Sequence, residues 1–310
     1  MKTIRKTNLI LLGCLLMLMS IDARGQQEPM FTQYMFNTVS VNPAYAGTRN
    51  TLNLTSLSRL QWLGLEGSPK TYSVALHTPI NKKKIGVGFT VVDDEIGPVS
   101  NTYFTGNYAY RLKLNEKLTL SMGIKGGLSY YYVGLTDLTL TDEMDPEFMQ
   151  NEKKLDPNVG VGFYLYSNDF YVGLSAPKLF ESSVDEEQML QGNEIKRHYY
   201  LIGGYVMDLN SKWKFKPTLL TKVVEGAPPS NDVSLQFLYV ERLWLSAMYR
   251  IGDAAGLFVD YRITDQLTVG YGYDFQLNGL SGRNSGTHEI LISFDFDNFF
   301  GNNVKSPRFF

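Results

Sequence analysis

"LTLSMGIKGGLSYYY", Leu118–Tyr132, decides how the chain reads. Leu118, Leu120, Met122, Ile124, Leu128, Tyr130 and Tyr132 share one phase of an every-second-residue pattern. The other phase carries Thr119, Ser121, Gly123, Lys125, Gly127 and Ser129. A period of two is the period of a strand, whose side chains point alternately to opposite faces. The run is long. A sandwich strand is usually ~5–6 residues, whereas a tilted strand crossing a bilayer needs ~9–11. An apolar face backed by a small or polar face fits lipid on one side and an aqueous lumen on the other.

The same rhythm continues outward in both directions. Before it come Leu52, Leu54, Leu60 and Trp62, with Leu57 out of phase; then Tyr72, Val74, Leu76 and Ile80; then Ile85, Val87, Phe89 and Val91; then Phe104, Tyr108, Tyr110 and Leu112. After it come Val159, Val161, Phe163 and Leu165, then, past "SND", Phe170, Val172, Leu174 and Ala176. "HYYLIGGYVMDL" turns at "NSK" into Trp213, Phe215, Leu219 and Val223. Four runs follow, Val233–Tyr239, Leu243–Ile251, Leu257–Ile263 and Leu267–Phe275, and Ile290–Phe296 is the last. Two stretches break the pattern. "LTDEMDPEFMQNEKKLDPN" (140–158) is too charged and proline-bearing for a strand and reads as a loop, as does Pro177–Arg197.

The runs predict an all-β, closed, antiparallel transmembrane β-barrel of about 14 strands. An even count puts both chain ends on one side, and closure leaves no unpaired edge in lipid, where each unsatisfied backbone group costs several kcal/mol. Tyr and Trp near run ends, "YYY" at 130–132, "HYY" at 198–200, Trp213 and Trp244, read as an interfacial belt.

The leader agrees with this address. "MKTIRKTN" is basic, "LILLGCLLMLMSI" is apolar, and Ala23 and Gly25 offer small residues at a cleavage site, so residues 1–25 read as a secretory signal peptide. Cys14, the sole cysteine, raises a lipoprotein alternative, but apolar sequence continues past it. The chain has 29 basic and 31 acidic residues; removing Lys2, Arg5, Lys6, Arg24 and Asp22 leaves five more acids than bases. That balance argues against a nucleic-acid partner. Beyond the leader no apolar run is long enough for a spanning helix.

The mature chain opens on "MFTQYMFNTVSVNPAYAG", Met30–Gly47. Pro29 suits a first helical turn. Phe31, Tyr34, Met35 and Val39 recur at spacings of three and four, and Asn42–Pro43 ends the pattern. So short a helix is marginal alone in water. A 14-stranded lumen is wider than wall side chains can fill, since filling is complete near ~8 strands. Residues 26–50 are therefore expected to form a helical plug inside a barrel of residues 51–300, with 301–310 as a tail. Phe31, Tyr34, Met35, Phe36, Asn42, Pro43, Tyr45 and Gly47 are the candidate plug or partner-binding residues. A periplasmic tail folded on the rim is the alternative.

"FTQYMFNTVSVNPAYAG", "SRLQWLGLEGSPKTY", "HYYLIGGYVMDL", "GTHEILISFDF" and the terminal "SPRFF" together resemble the PorP/SprF family of Bacteroidetes outer-membrane proteins, across essentially the whole mature chain. The resemblance implies a non-enzymatic barrel of the type IX secretion and gliding systems. It implies as partners a secreted surface protein with a C-terminal sorting domain, which the barrel anchors or helps deliver, a peptidoglycan-binding lipoprotein of OmpA type, and the secretion machinery.

No catalytic motif, cofactor fingerprint or metal signature stands against that reading. "GVGF" at 86–89 and 160–163 reads as strand glycine, not a nucleotide loop. His77, His198 and His288 lie on separate runs, and His288 and Glu289, being neighbours in a strand, face opposite ways. Asp93, Asp94 and Glu95, and Asp142, Glu143, Asp145 and Glu147, are carboxylate-rich but lack a calcium-loop pattern. The competing functions are a transporter of hydrophobic small molecules and a general porin. A transporter needs an apolar pocket between plug and wall. An anchor needs an outer docking surface, for which Asp142–Asp156 and Pro177–Arg197 are the candidates.

Overall fold

The computed structural model describes residues 28–49, 51–80, 84–137, 149–181 and 196–296. The readings placed on 1–27, on Asp142, Glu143, Asp145 and Glu147, on 297–310, and on the greater part of the docking candidates Asp142–Asp156 (142–148) and Pro177–Arg197 (182–195) fall outside these residues. The strands are β1 (Leu52–Leu60), β2 (Lys70–Ile80), β3 (Ile85–Ile96), β4 (Val99–Lys113), β5 (Thr119–Val133), β6 (Glu152–Tyr166) and β7 (Phe170–Ala176). Next are β8 (His198–Tyr205, with a short continuation Met207–Asp208), β9 (Trp213–Val224), β10 (Ala227–Tyr239), β11 (Leu243–Arg250), β12 (Ala254–Arg262), β13 (Leu267–Gln276) and β14 (Thr287–Phe296). Each pairs antiparallel with its sequence neighbours, and β1 pairs with β14 from Leu52↔Phe296 to Leu60↔His288. The result is the closed 14-stranded barrel that the alternation predicts.

Residues 51 and 296 lie on one side with the short connections 114–118, 167–169, 209–212, 240–242 and 263–266. The longer connections 61–69 and 277–286 lie on the other, with the strand ends Val133, Glu152, Ala176 and His198. In outer-membrane barrels the short-turn side is periplasmic and the long-loop side extracellular.

Alternation sorts the side chains. Ile124, Leu257, Leu174 and Phe163 are 60%, 59%, 55% and 52% exposed and point outward, with exposed apolar side chains on every strand but β1, whose outward Leu52, Leu54 and Leu60 are part-buried. A soluble protein does not tolerate such a surface. In a bilayer it is the lipid contact. The inward phase is polar and buried: Asn53, Arg59, Ser73, Asn107, Lys216, Thr218, Gln236, Asp260, Asp274 and Glu289.

Four details depart from the sequence reading. Residues 152–158 are strand, not loop. In β6 the Ser167 N–H donates to the Phe170 carbonyl and the Val159 carbonyl accepts from Leu179, so odd-numbered backbone groups face the β7 side. The N–H that Pro157 lacks would point there, where pairing with β7 has already ended at Val161↔Ala176. Proline is tolerated on such an edge. Second, Trp62 is not in β1; it takes φ 49° in the following turn. Third, the out-of-phase Leu57 is 1% exposed and packs inward with Phe31 and Leu291. Fourth, the aromatic belt is smaller. Tyr199 faces lipid and Trp213 pairs with Tyr239, their ring centroids 4.7 Å apart, but Tyr200 and Trp244 are buried in the lumen.

Candidate functional site

The amino-terminal segment lies in the lumen, surrounded by the inward phase of the wall. It is not one helix. Tyr34–Phe36 form a 3-10 turn, Thr38–Val41 a single α-turn and Pro43–Tyr45 a second 3-10 turn. Asn37, at φ −124° and ψ 40°, separates the first two. Thr38, Val39 and Val41 are β-branched, which weakens the helix that the spacing suggested. Nor does one apolar side face a surface, because the wall encloses the segment: Phe31, Thr32, Gln33, Tyr34 and Met35 are all buried. Pro29 precedes these turns instead of opening one.

Wall side chains take over the hydrogen bonding that a longer helix would provide for itself. The Glu289 carboxylate accepts from the backbone N–H groups of Thr32 and Gln33 at 2.9 and 2.7 Å. Arg59 reaches Glu289 at 3.0 Å and Asp274 at 2.9 Å, and donates to the Thr32 hydroxyl at 2.7 Å. These charges are buried, paired and hydrogen-bonded, the condition for keeping them out of water. Farther along, Asn37 donates to Ser73 at 2.9 Å, Tyr34 to Thr218 at 3.1 Å, and Ser175 to the Val41 carbonyl at 2.8 Å.

The "NPAYAG" stretch is seated on glycine. Asn42 is extended, as a residue before proline should be, and its side chain accepts from Ala44 N–H at 3.0 Å while donating to the Phe163 carbonyl at 3.0 Å. A Cβ at Gly86 would lie 1.9 Å from the Ala46 carbonyl oxygen, at Gly123 2.2 Å from Ala44 N, and at Gly162 2.2 Å from Asn42 Oδ1. At Gly86 and Gly123 backbone meets backbone, so only glycine fits, and at Gly162 the Asn42 and Pro43 side chains fill the space of a Cβ. Two of the three belong to the repeated "GVGF" strings. Tyr45 stacks edge-on against Tyr164 and His77, with centroids 5.5 and 5.4 Å away, and the Gly47 N–H donates to His77 Nδ1 at 3.2 Å.

The candidate plug residues thus lie together in the lumen, in two clusters bridged by Phe36. Tyr34, Met35 and Tyr45 form the centre of the larger, Phe36 meets Trp244 edge-on at 6.2 Å, Phe31 sits under Leu57, Pro43 lies over Gly162, and Asn42 and Gly47 make the bonds above. The sequence reading did not find Arg59, Asp274, Glu289 or the glycine seat. Their signal was charged residues and glycines in the inward phase of apolar strands.

The segment runs from the extracellular mouth toward the periplasmic rim, where Arg49 approaches Asp295 at 3.9 Å. At its outer end Glu28 contacts Lys178 at 3.1 Å and accepts from the Tyr200 hydroxyl at 2.9 Å, while Lys222 donates to the Glu28 carbonyl at 3.3 Å. Burial pushes the Glu28 carboxyl up, but Lys178, with His198, Lys125 and Lys222, outweighs it and holds the group well below its ordinary value. Conversely, burial lowers Lys178 and Glu28 raises it above its usual value. Among the described residues no three His, Cys, Asp or Glu side chains gather to hold a metal. Asp94 accepts from Thr71 and Asp93 from Thr102, while His198 and His288 approach Lys196 O and Tyr271 at 2.8 and 2.7 Å.

No curated protein matches. Among solved structures the chain is similar to the outer membrane protein Omp33 of Acinetobacter baumannii, at 11% identity over 81% of this chain and 100% of that one, TM-score 0.46. It is similar to a FadL homologue of Pseudomonas aeruginosa, at 12% identity over 88% and 96%, TM-score 0.47. It is also similar to the CymD monoaromatic hydrocarbon channel, at 12% identity over 88% and 95%, TM-score 0.45. The model of the type IX secretion system membrane protein PorP/SprF family matches residues 23–294. With nearly the whole chain matched and the barrel closed, the protein is an outer-membrane member of the PorP/SprF family.

Proposed function

We propose that this barrel binds and anchors, or helps deliver, a secreted surface protein carrying a C-terminal sorting domain. The supporting observation is the seated plug. A segment bonded to the wall through Glu289, Ser73, Thr218 and Ser175 makes the lumen a rigid support and leaves the extracellular loops as the working surface. The type IX secretion family associates the barrel with that machinery, and its periplasmic turns are the proposed contact for a peptidoglycan-binding OmpA-like lipoprotein. Removal of residues 1–25 completes the proposal.

A transporter of hydrophobic solutes fits less well. The cavity between the plug and the outer wall holds about 70 Å³, well below the ~300–1,000 Å³ usual for ligand pockets, and the space of about 500 Å³ at the extracellular mouth is open and bordered by Glu28, Asp94, Arg250 and Asp253. The test is deletion of the gene, followed by an inventory of proteins on the cell exterior. Loss of one or more sorting-domain proteins supports anchoring. An unchanged surface with failed uptake of an apolar solute overturns it in favour of transport.

A further inference from the structure

Two spaces meet at the outer end of the plug. One is a small, partly open cavity of about 70 Å³, lined by Lys125, Lys178, Tyr103, Asn158 and Tyr200 among others. The other is a vestibule of about 500 Å³ at the extracellular mouth, bordered by Trp62, Asp94, Arg250 and Asp253. Glu28 and Pro29 line both and stand between them. Behind this partition cations predominate. Lys178 contacts the Glu28 carboxylate and Lys222 its carbonyl, Lys125 and His198 face the same carboxylate, and Asp94 and Asp232 face Lys178 and Lys222 without an ion-pair contact. Lys178 also lies 3.7 Å from the centroid of the Tyr103 ring, and Lys125 spends a hydrogen bond on the Ser40 carbonyl at 2.9 Å.

The partition is the loosely held part of the segment. Residues 28–30 are half-buried and precede the first turn, whereas 31–35 are buried. Glu28 is fixed by the contacts of its own carboxylate and carbonyl, with Lys178, Tyr200 and Lys222. A tethered carboxylate acts at an effective concentration in the millimolar range, so it fills such a site without strong intrinsic affinity. It is also replaceable by a ligand of the same chemistry.

We propose that the outer lumen is a carboxylate-binding site which Glu28 occupies in cis, and that an extended, carboxylate-bearing segment of an extracellular partner displaces Glu28 to reach Lys178 and Tyr200. The identity of the partner rests on the anchoring function above; the site itself does not. Charge complementarity selects the ligand, and the vestibule gives it a route from outside. Displacement frees Glu28 from Lys178 and Tyr200 into the vestibule that it already borders, while the glycine seat holds the rest of the plug.

The test uses the purified full barrel in detergent, with fluorescent hexaglutamate as probe and hexaglutamine as the neutral control. Removing the internal competitor raises the competent fraction, so Glu28→Gln is expected to tighten hexaglutamate binding by about tenfold. Glu28→Asp, with a shorter reach to Lys178, falls between and serves as the second variant if the first does not fold. Lys178→Gln weakens binding, hexaglutamine does not bind, and salt weakens the complex. Unchanged affinity in both Glu28 variants, or equal binding of hexaglutamine, overturns the site. Loss of surface clients in the gene deletion without hexaglutamate binding removes this site and leaves anchoring intact. Binding with an unchanged cell surface does the reverse.

Discussion

The deep part of the plug and its outer end are held by different physics. Residues 31–47 are locked by shape and by buried bonds. Wall glycines admit their backbone, Glu289 receives two of their N–H groups, and Tyr45 wedges between Tyr164 and His77. Residues 28–30 are held by charge at the edge of a vestibule. Contacts of the first kind have no substitute partner and are lost all at once. Contacts of the second kind are screened by salt and open to exchange. One short segment therefore has a fixed part and a replaceable part.

The largest expected effect comes from breaking the fixed part electrostatically. Glu289→Ala leaves Arg59 with Asp274 alone and strands two buried N–H groups. Removing one member of a buried charge network typically costs about 3–5 kcal/mol, read as a fall in the urea midpoint of the detergent-solubilised barrel. Gly123→Val follows. Its Cβ would sit 2.2 Å from Ala44 N, where backbone cannot yield, and overpacking costs about 1–3 kcal/mol. The strands should still pair while residues 31–45 become accessible to protease; protection equal to wild type would argue against the seat. Asn42→Ala removes the cap on Ala44 and the bond to Phe163, at about 1 kcal/mol, measured as a smaller midpoint shift. Glu28→Gln removes the ion pair with Lys178 at the exchangeable end of the segment, so it should lower the midpoint least of the four and increase cleavage only near residues 28–30.

The same comparison has a pH signature. The Glu28 carboxyl is depressed in the fold, so its contribution is fully present above its ordinary value of 4.5 and is lost as pH falls below it. The groups facing it are Lys178, His198, Lys125, Lys222 and Tyr200. Cleavage near residues 28–30 should therefore stay at its neutral-pH level down to pH 4.5 and rise only in stronger acid. A rise that begins between pH 7 and pH 5 would assign the latch to His198 instead.

The wall was legible because lipid enforces a strict period. One face must be apolar wherever a strand crosses, and the alternation from Leu52 to Phe296 carries that requirement in each run. Reading failed where a residue obeys its edge or its lumen instead of the bilayer. Pro157 looks like a strand breaker until its missing N–H is placed on the side where β7 has ended. Tyr200 and Trp244 have interfacial side chains but fall in the inward phase, where they meet Glu28 and Phe36. The plug was harder. Its residues were recognisable as sticky, yet its shape is set by partners hundreds of positions away, such as Glu289 and Asp274 for Thr32. Local spacing suggested a helix because it contains no record of those partners. The "GVGF" strings were read correctly as strand; their function as a seat depends on which phase turns inward.

The central claim is that the amino-terminal segment lies inside the barrel against specific wall positions. Asn37 donates to Ser73 at 2.9 Å on the inward face of β2, while Leu76 on the same strand points to lipid and is 38% exposed. A short thiol cross-linker applied to intact outer membranes should join Asn37→Cys to Ser73→Cys nearly completely and leave Asn37→Cys with Leu76→Cys unjoined. Failure of the first pair to cross-link while the barrel remains folded, or equal cross-linking of both pairs, would contradict a seated plug.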